Sequence, residues 1–543
     1  MPLPDDSSMA WPPREWQDVQ ASIEEADAWY AGDEARLMAF YGGTRSPKQR
    51  VGMLSRRTEN AGPHRFWGRQ TQAGDRVRVH VPIAADIAST SADLVFGEEL
   101  GLLIPEAHEL APDAEPGTDT STRVVDAVAA ATEARLQEII EDDGWLNKLL
   151  EGAELAAGLG TAWLRLVWDR ELADHPMLTV VPGDQAVPEM KLGRPTAVTF
   201  WEVVGEDGQT VWRHLERHEP GVILHGLYAG SKDTLGARKT LTDHPATADL
   251  TPALDLVQLG VPDGDKVMLS RMLPNVRPWS RHRRWAVGRP DCSGAEGLMD
   301  AMDEALSSWV RDVRLGKARV ITPDDFLDKR KGSAAVFDMD KEVFTPLGMD
   351  PMSREKISIE LIQPEIRTES HMKTVLELAE RIVVHAGYSP ATFGLIGDSG
   401  VVQTATEVVA RTGKTTRTVS RKQRYAGPAV RDIGELALVV DRHILGNTST
   451  EPMRPELRWP ENESDPMRVA ETIALLVQSR AASIETAVKM AQPDLDQPAV
   501  LEEVEQIRQD HALGVDDPTG GLPAPGGAPS PGSGSDDDEP DDP

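Results

Sequence analysis

Cysteine is nearly absent from this chain, in which Cys292 is the single one among 543 residues. A lone cysteine excludes a disulfide framework within the chain and is typical of a protein made in a reducing compartment. Long apolar runs are also missing, since no stretch reaches the roughly 18 residues that a membrane-spanning helix requires. The first residues lack the basic and then apolar pattern of a signal peptide. We therefore expect a protein made in the cytoplasm, with no membrane partner.

Positive charge is scarce as well. The chain has 57 Lys and Arg residues against 89 Asp and Glu residues, which gives a formal net charge of -32. Such a chain repels nucleic acid at long range, so any contact with DNA must be local or weak. The last 30 residues, 514–543, contain no basic residue and are rich in Pro, Gly, Ser and Asp. This composition predicts a disordered acidic tail.

The sequence also lacks a complete nucleotide-binding motif. Gly413-Lys414-Thr415 matches the end of a phosphate-binding P-loop, but Val408 stands where that motif requires its first glycine. Gly394, Gly397 and Gly400 are spaced as G-x-x-G-x-x-G, which differs from the G-x-G-x-x-G of a dinucleotide fold. We therefore expect no catalytic residues and no cofactor.

Two groups of residues could suggest an ion site. His214 and His218 lie four residues apart on a predicted strand, but no third ligand follows at a suitable spacing. We interpret them as partly buried histidines of a sheet and expect no metal. A dense basic cluster is interpreted as pairing with the acidic excess elsewhere in the chain, in preference to a phosphate site. The cluster consists of Arg277, Arg281, His282, Arg283, Arg284 and Arg289.

The periodicity of apolar residues predicts an α+β chain that is rich in helix. Helical spacing predicts helices within residues 11–40 and 83–96, and two helices between residues 124 and 159 that separate at residues 142–144. Beyond residue 160 the apolar period changes to two, which predicts a mixed sheet beside these helices. Its strands are expected at residues 162–168, 178–182, 197–204, 210–217 and 222–228. A further strand is predicted at residues 77–82.

The stretch from residue 364 to residue 428 organises the rest of the chain. Apolar residues at three- and four-residue spacing predict an amphipathic helix over residues 366–386, which Gly387 ends. The next segment is rich in glycine and also apolar, so we expect a mobile loop that contacts other surfaces. A second helix is predicted to begin at Thr404, which forms a capping box with Glu407.

Another amphipathic helix is predicted at residues 294–316, so that two long helices bracket an insert of about 45 residues. Short strands of this insert are expected at residues 318–321, 336–338 and 357–362. Helices are predicted again at residues 469–480, 483–490 and 498–511.

The helix after the loop carries a basic stripe on an otherwise acidic chain. Five residues recur at three- and four-residue spacing, which puts them on one helix face. We interpret the stripe as a solvated face or as a contact with acidic residues of a neighbouring subunit, with direct DNA contact as the alternative. These residues are Arg411, Lys414, Arg417, Arg421 and Arg424.

Several short segments carry a resemblance when they are taken together and in order. They are residues 27–32 (DAWYAG), 86–97 (DIASTSADLVFG), 288–291 (GRPD), 311–320 (RDVRLGKARV), 363–369 (QPEIRTE), 404–407 (TATE) and 483–486 (SIET). Over about residues 15–512 the chain resembles the portal proteins of tailed bacteriophages, in particular those of long-tailed phages of Gram-positive hosts. No one of these segments is diagnostic, and their joint occurrence carries the resemblance.

The resemblance implies a subunit with a wing, a stem, a clip and a crown. In that family twelve copies form a ring with a central channel, at one vertex of the capsid. By position, the wing would be residues 1–293, the first stem helix 294–317, the clip 318–363, the second stem helix 364–387, the tunnel loop 388–402, a long wing helix with its return 403–464, and a helical crown 465–513.

The resemblance also implies the partners. Double-stranded DNA would pass through the channel, and the large terminase subunit and the head–tail connector would dock on the clip. Major capsid and scaffolding proteins would surround the ring. The predicted DNA-facing residues of the tunnel loop are Phe393, Gly394, Leu395, Ile396, Gly397, Asp398, Gly400 and Val401. The predicted docking residues of the clip are Lys317, Arg319, Asp324, Asp325, Lys329, Arg330 and Lys331.

Two other classes of protein compete with this expectation. A packaging ATPase requires a Walker A loop and an acidic metal site after a strand, and neither occurs in the sequence. A head-to-tail adaptor or minor capsid protein without a channel is usually shorter, and the order of long helix, loop and long helix speaks against it. We therefore expect a structural protein of the virion that is not an enzyme.

Overall fold

The computed structural model describes residues 3–5, 7–42, 66–68, 78–107, 127–261, 268–276, 282, 285, 287–315, 319–321, 360–362, 367–395, 405–460, 473, 483–492, 500–501 and 503–507. These residues form two compact units, residues 1–460 and residues 461–543. Helices and strands are both present, and the fold class is α+β as predicted.

In the described part of the first unit, five helices precede the main sheets. They are α1 (Gln17–Tyr30), α2 (Glu34–Tyr41), α3 (Ile83–Phe96), α4 (Ala127–Asp142) and α5 (Trp145–Leu159). The predicted break between α4 and α5 is confirmed, because Gly144 lies in the left-handed region with a φ of 63°. Asp33 caps α2, since its carboxylate accepts hydrogen bonds from the amides of Ala35 at 2.9 Å and Arg36 at 3.1 Å.

The described residues contain thirteen strands, of which seven lie at predicted positions and six were not predicted. They are β1 (Gly101–Leu103), β2 (Thr161–Val167), β3 (Met177–Pro182), β4 (Ala186–Lys191), β5 (Arg194–Asp207), β6 (Thr210–Glu219), β7 (Val222–Gly230), β8 (Ala237–Lys239), β9 (Ala253–Asp255), β10 (Ser270–Pro274), β11 (Arg319–Ile321), β12 (Glu360–Ile362) and β13 (Glu456–Arg458). A three-stranded sheet has the order β10-β2-β3, and a six-stranded sheet has the order β4-β5-β6-β7-β8 with β9 added to β7.

The prediction of a mixed sheet is wrong. Every pair of named strands in the described chain is antiparallel. The reason is the length of the connections: tight turns such as the one at Gly208, between β5 and β6, reverse the chain directly. A parallel pair would need a crossover of a dozen or more residues.

Three long helices follow the sheets, α6 (Glu296–Leu315), α7 (Thr368–Ala386) and α8 (Ala405–Val440). The two predicted long helices that bracket the insert are thus confirmed as α6 and α7. β11 and β12 pair at the ends of the insert, with Arg319 opposite Ile362. The predicted strand at residues 336–338 lies outside the described residues.

The predicted strand at residues 77–82 is wrong, because α6 takes up the backbone donors of this segment. Val79 donates its amide hydrogen to the Ser307 hydroxyl at 2.9 Å, and Val81 donates to the Asp303 carboxylate at 3.0 Å. His80 contacts the same carboxylate through Nδ1 at 2.8 Å. Asp303 is fully buried, and its side chain replaces the neighbouring strand that a ladder would have required.

Two large apolar clusters hold the first unit together. One includes Trp145 of α5, Leu164 of β2 and Val430 in the second half of α8, all nearly inaccessible to solvent. The other joins the end of α1 to the long helices through Trp29, Met299 of α6 and Ile382 of α7, among others. The second half of α8 is therefore a core helix, and this explains why the chain after the loop stays helical as far as Val440.

In the second unit, the described residues form short helices. The helix α9 (Ile484–Ala491) begins after Ser483, whose hydroxyl accepts the amide hydrogen of Thr486 at 3.1 Å. Residues 500–501 and 503–507 are helical as well, and Val488, Val500 and Val504 form a small apolar cluster. These ranges confirm the prediction at residues 483–490. Residue 473 is helical, but most of the predicted helix at residues 469–480, and all of the predicted acidic tail, lie outside the described residues.

The histidines of the six-stranded sheet are buried, as predicted. His214 and His218 are 6% and 0% exposed. His214 stacks on His225 of the next strand at a ring separation of 5.3 Å, and His214 Nε2 lies 3.2 Å from His225 Nδ1. Burial lowers the pKa of His225 to about 4, and a charge on the neighbouring His214 acts in the same direction. His225 is therefore held neutral at pH 7.

Acidification should therefore destabilise the sheet through His225. An unfolded histidine has a pKa near 6.5, so between about pH 6.5 and pH 4 the unfolded state binds more protons than the folded state. The free energy of unfolding should fall as the pH falls through this range. In a His225→Gln variant the melting temperature should decline less steeply than in the wild type between pH 7 and pH 4. Parallel slopes in thermal denaturation of the two proteins would contradict this assignment.

Candidate functional site

The end of α7 begins the segment that the sequence analysis singled out. Gly387 takes a φ of 108° and ends the helix as predicted, with its amide bonded back to Val383 and Val384. The chain then runs through the buried side chain of Tyr388 into a short turn, Pro390–Phe393, and reaches Gly394 at a φ of 68°. Both glycines occupy the left-handed region, which other residues adopt only at a cost.

The first half of α8 lies along this segment and bonds to it through side chains. The Thr418 hydroxyl donates to the Gly387 carbonyl at 2.6 Å. The Thr415 hydroxyl oxygen accepts the amide hydrogen of Ser389 at 2.9 Å, and it lies 2.8 Å from the Thr392 hydroxyl. Lys414 donates to a carbonyl in the last turn of α7. We call this row of contacts, made by residues 414, 415, 418 and 422 of α8, the polar seam.

A buried ion pair ends the polar seam. The Lys422 ammonium lies 2.6 Å from Asp291 Oδ2, and the two side chains are 7% and 6% exposed. Lys422 also donates to the Ser91 hydroxyl of α3 at 2.6 Å. The Tyr388 hydroxyl donates to the same Asp291 oxygen at 3.0 Å, and Asn275 Nδ2 donates to Asp291 Oδ1 at 2.8 Å. One carboxylate therefore joins β10, α7 and α8, and through the lysine also α3.

The electrostatics of this cluster follow from its burial. Burial lowers the pKa of Lys422, while the charge and the hydrogen bond of Asp291 act in the opposite direction. Burial and the nearby Asp291 charge raise the pKa of Tyr388 well above its usual value. Burial likewise raises the pKa of the Cys292 thiol, so this cysteine is not a thiolate at neutral pH. The arrangement favours a fixed structural cluster over a group poised for acid–base chemistry.

The predicted loop residues are only partly within the described residues. Phe393 and Leu395 are half-buried against the apolar cluster of α6 and α7, and Phe393 packs edge-on against Tyr388 at a ring separation of 6.0 Å. Gly394 is exposed between them. Ile396, Gly397, Asp398, Gly400 and Val401 lie outside the described residues. Contact of this loop with DNA stays a prediction.

The basic stripe divides into two groups. Lys414 belongs to the polar seam, so its ammonium is used within the chain. Arg417 is exposed and bonds a carbonyl of its own helix at 3.0 Å. Arg421 and Arg424 are exposed, and within the described residues neither forms an ion pair. The side chain of Arg411 lies outside the described residues. A contact of the stripe with DNA or a neighbouring subunit stays a prediction.

The remaining predicted sites lie mostly outside the described residues. Of the clip residues, Arg319 is on β11, while Lys317, Asp324, Asp325, Lys329, Arg330 and Lys331 are not described. Of the basic cluster, His282 is buried and lies 3.0 Å from the Ser22 hydroxyl, and Arg277, Arg281, Arg283 and Arg284 are not described. Its predicted pairing with acidic residues stays a prediction.

Sequence reasoning missed the buried cluster itself. Asp291 had been noted within GRPD, but nothing in its composition marks it as the partner of a lysine 131 positions away. A usable signal existed in α8. At 100° per residue, positions 415, 418 and 422 fall within about 60° of one another, while 417, 421 and 424 lie on a different face. The threonines and the lysine of the first face could have been recognised as inward-facing.

Among the residues that the structure describes, no group of three or more His, Cys, Asp or Glu side chains could hold a metal ion. None of the described helices is long and apolar enough to cross a membrane.

Comparisons with known proteins give only weak similarities. Neither a family model nor a curated protein matches the chain. Among solved structures, the chain is similar to one described as "Neck of empty GTA particle computed with C6 symmetry", with a TM-score of 0.37 and 14% identity over 76% of this chain and 90% of that one. A chain of "Virion of native gene transfer agent (GTA) particle" has a TM-score of 0.34 and 13% identity over 75% of this chain and 88% of that one. These values are too low to carry an argument about function.

Breaking the buried ion pair from one side should be costly. Lys422→Met leaves the Asp291 carboxylate buried without its counter-charge, and Asp291→Asn leaves the ammonium in the same position. Each single variant should lose about 3–5 kcal/mol of unfolding free energy. The double variant removes both charges and should lose clearly less than the sum of the two. Chemical denaturation of the four proteins measures this coupling. Additive losses would contradict a direct interaction of the two side chains.

Proposed function

We propose that this chain is the portal subunit of a tailed phage or phage-like particle. Copies of it would form a ring with a central channel at one capsid vertex, through which double-stranded DNA enters and leaves. The terminase and the head–tail connector would dock on the clip, and capsid and scaffolding proteins would surround the ring. The proposal rests on the resemblance of the ordered segments, and it gains support from where the structure puts them.

The observation that carries the proposal is that two of these segments meet at the polar seam, where Lys422 bonds both of them. Residues 86–97 coincide with α3 and supply Ser91, and residues 288–291 supply Asp291. Two further segments, residues 363–369 and 404–407, lie at the starts of α7 and α8, the two helices that the polar seam joins. Segments that are far apart in the sequence thus meet at one place. A chance likeness of short segments would not be expected to share a junction.

A fifth segment, residues 27–32, lies in the neighbouring core. Trp29 is buried and belongs to the apolar cluster of α6 and α7. Tyr30 donates its hydroxyl hydrogen to Glu154 at 2.8 Å and packs so closely on Gly158 that a side chain there would clash with its ring. Gly32 has a φ of 64° and lies against His80. Each part of this segment therefore has a definite packing role beside the long helices.

The charge of the chain suits a channel through which DNA slides. Each phosphate neutralised by Lys or Arg adds affinity by counterion release, so a wall with few free cations binds DNA weakly. The net charge of -32 keeps the sum of such contacts small. Repulsion reaches only about 8 Å at physiological salt, which prevents adhesion without blocking passage. Arg417, Arg421 and Arg424 would supply the few cations that touch DNA or an adjacent copy.

In this proposal the role is structural and not catalytic. Gly413-Lys414-Thr415, the remnant of a P-loop pattern, lies within the helix α8 and not between a strand and a helix. ATP hydrolysis by the purified protein, at a rate lost in a Lys414→Ala variant, would contradict a purely structural role.

Electron microscopy of the purified chain tests the proposal most simply. We expect rings with a central hole, and class averages should give the number of copies. A population of compact monomers at every concentration would exclude the channel.

Deletion of residues 395–400 tests the role of the loop. The polar seam ends before this deletion, so rings should still form, but DNA packaging or retention of the packaged genome should be impaired. A second deletion of equal length at residues 535–540, in the acidic C-terminal region, serves as the control. Equal DNA filling with both deletions would argue against a channel-facing loop.

A further inference from the structure

The hairpin between β4 and β5 ends in an unusual turn. Lys191 pairs with Arg194, which leaves Leu192 and Gly193 as the two turn residues. Their φ angles are 52° and 78°, so both lie in the left-handed region typical of a type I′ turn. Asn-Gly is the preferred pair in this turn, and a leucine there is strained. Leu192 is the one residue other than glycine with a positive φ in the described chain.

Packing within its own chain does not stabilise this strained leucine. It is 97% exposed, more than any other large apolar residue that the structure describes. Lys191 and Arg194 are exposed on either side of it, and no ion pair within the described residues involves them. We call residues 191–194 the cationic tip. A conformational outlier without an internal contact indicates a contact with another molecule.

Nearby acidic residues do not neutralise the positive charge of the cationic tip. Glu189 and Glu219 are the acidic residues at this end of strands β4 and β6, and both bond the guanidinium of Arg217, at 2.9 Å and 2.5 Å. The outer strand β4 is protected against addition of a further strand, because Pro188 lacks an amide hydrogen and the register shifts at Met190. Because the edge strand cannot pair with another strand, the cationic tip is the part of this sheet edge that is free to contact another molecule.

The opposite end of the same strand carries the complementary surface. β5 runs 14 residues from Arg194 to Asp207, which corresponds to about 43 Å between these ends. Val203 is 47% exposed beside a shift of register, and Glu206 and Asp207 are exposed just beyond it. We call residues 203–207 the acidic end. Its apolar residue and its two carboxylates match the leucine and the two cations of the tip.

Other cations at this end lie farther from β5 or are already engaged, and the exposed Lys232 in the turn after β7 is offset by the exposed Asp233 beside it. Arg238 and Lys239 are on β8, three strands away, or about 14 Å. Arg238 also pairs with Asp5 at 3.6 Å. Arg213 lies opposite Val203 but is buried, and its guanidinium bonds the carbonyls of Ser231, Lys232 and Thr234. The acidic end therefore keeps its negative character.

We propose that the cationic tip of one copy of this chain docks on the acidic end of the next copy. The contact joins unlike surfaces, so it can repeat from copy to copy and close into a ring. This step rests on the proposed ring. The contact accounts for the strained conformation of Leu192, because this leucine is buried only in the assembly. Opposite charges around the leucine fix which end of the neighbour it meets.

Charge-reversal variants test whether assembly depends on the contact between the cationic tip and the acidic end. Lys191→Glu with Arg194→Glu gives a variant with an acidic tip, and Glu206→Lys with Asp207→Lys gives a variant with a basic acceptor. Each variant by itself should need at least tenfold more protein to assemble than the wild type. An equimolar mixture should recover assembly, because each tip now meets an oppositely charged end of the other variant. Mass photometry over a dilution series measures all four samples.

A turn variant tests the leucine itself. Leu192→Asn suits the left-handed conformation, so the melting temperature at a dilution where both proteins are monomeric should stay equal or rise, while the concentration needed for assembly should rise about tenfold. Leu172→Asn, at another exposed leucine with 75% of its surface accessible, should change neither quantity. A fall in the melting temperature of monomeric Leu192→Asn would mean that the leucine packs within its own chain and would overturn the proposal.

The outcomes distinguish this inference from the proposed function. Wild-type assembly by both charge variants would overturn the tip contact and leave the ring intact. Closed pairs in place of rings would overturn the head-to-tail arrangement. A wild type that is monomeric at every concentration would overturn both proposals. Loss of binding to a 30-base-pair duplex by the acidic-tip variant, with assembly unchanged, would assign the tip to DNA and also overturn the contact between copies.

Discussion

The ion pair between Lys422 and Asp291 is the interaction on which the arrangement of the long helices depends. Both charges are buried, so each is tolerable only in the presence of the other. Asp291 also accepts hydrogen bonds from Tyr388 and Asn275, so three side chains donate to this carboxylate. The position of α8 relative to the end of α7 is therefore fixed by charge and not by apolar packing alone. Any shift of α8 along its axis would separate the pair.

The position of α8 affects both the apolar core and the segment at the base of the loop. The polar seam fixes the residues that follow Gly387, and the second half of α8 enters the main apolar cluster with Val430 and Ile433. One helix of 36 residues thus connects the base of the loop to the core beside the three-stranded sheet. Such a helix would suit the support of a loop in the proposed channel, because its two halves are held by different contacts. The polar half sets position, and the apolar half supplies stability.

Much of this fold follows from the sequence, but the decisive contacts do not. Periodicity predicts α6, α7 and most strands, because one face of each element must be buried. It wrongly predicts a strand at residues 77–82, since the partner of that segment is the Asp303 side chain and not another strand. It also groups Lys414 with the exposed arginines, although a turn of 100° per residue brings that lysine to the edge of the seam. Pairs such as Asp291 with Lys422 are tertiary contacts, and a single sequence contains no local signal for them. The strain at Leu192 is likewise visible only in the backbone conformation.

Hydrogen exchange at the base of the loop tests the central claim most directly. The Ser389 amide donates to Thr415 of α8, and the amides of Thr392 and Leu395 donate to Ser389 and Pro390 within the turn that this contact holds beside α8. In a Lys422→Met variant these amides should exchange at least tenfold faster than in the wild type, while amides of β6 and β7 keep their protection. Unchanged exchange in residues 388–395, with the ion pair removed, would show that the polar seam does not position the loop.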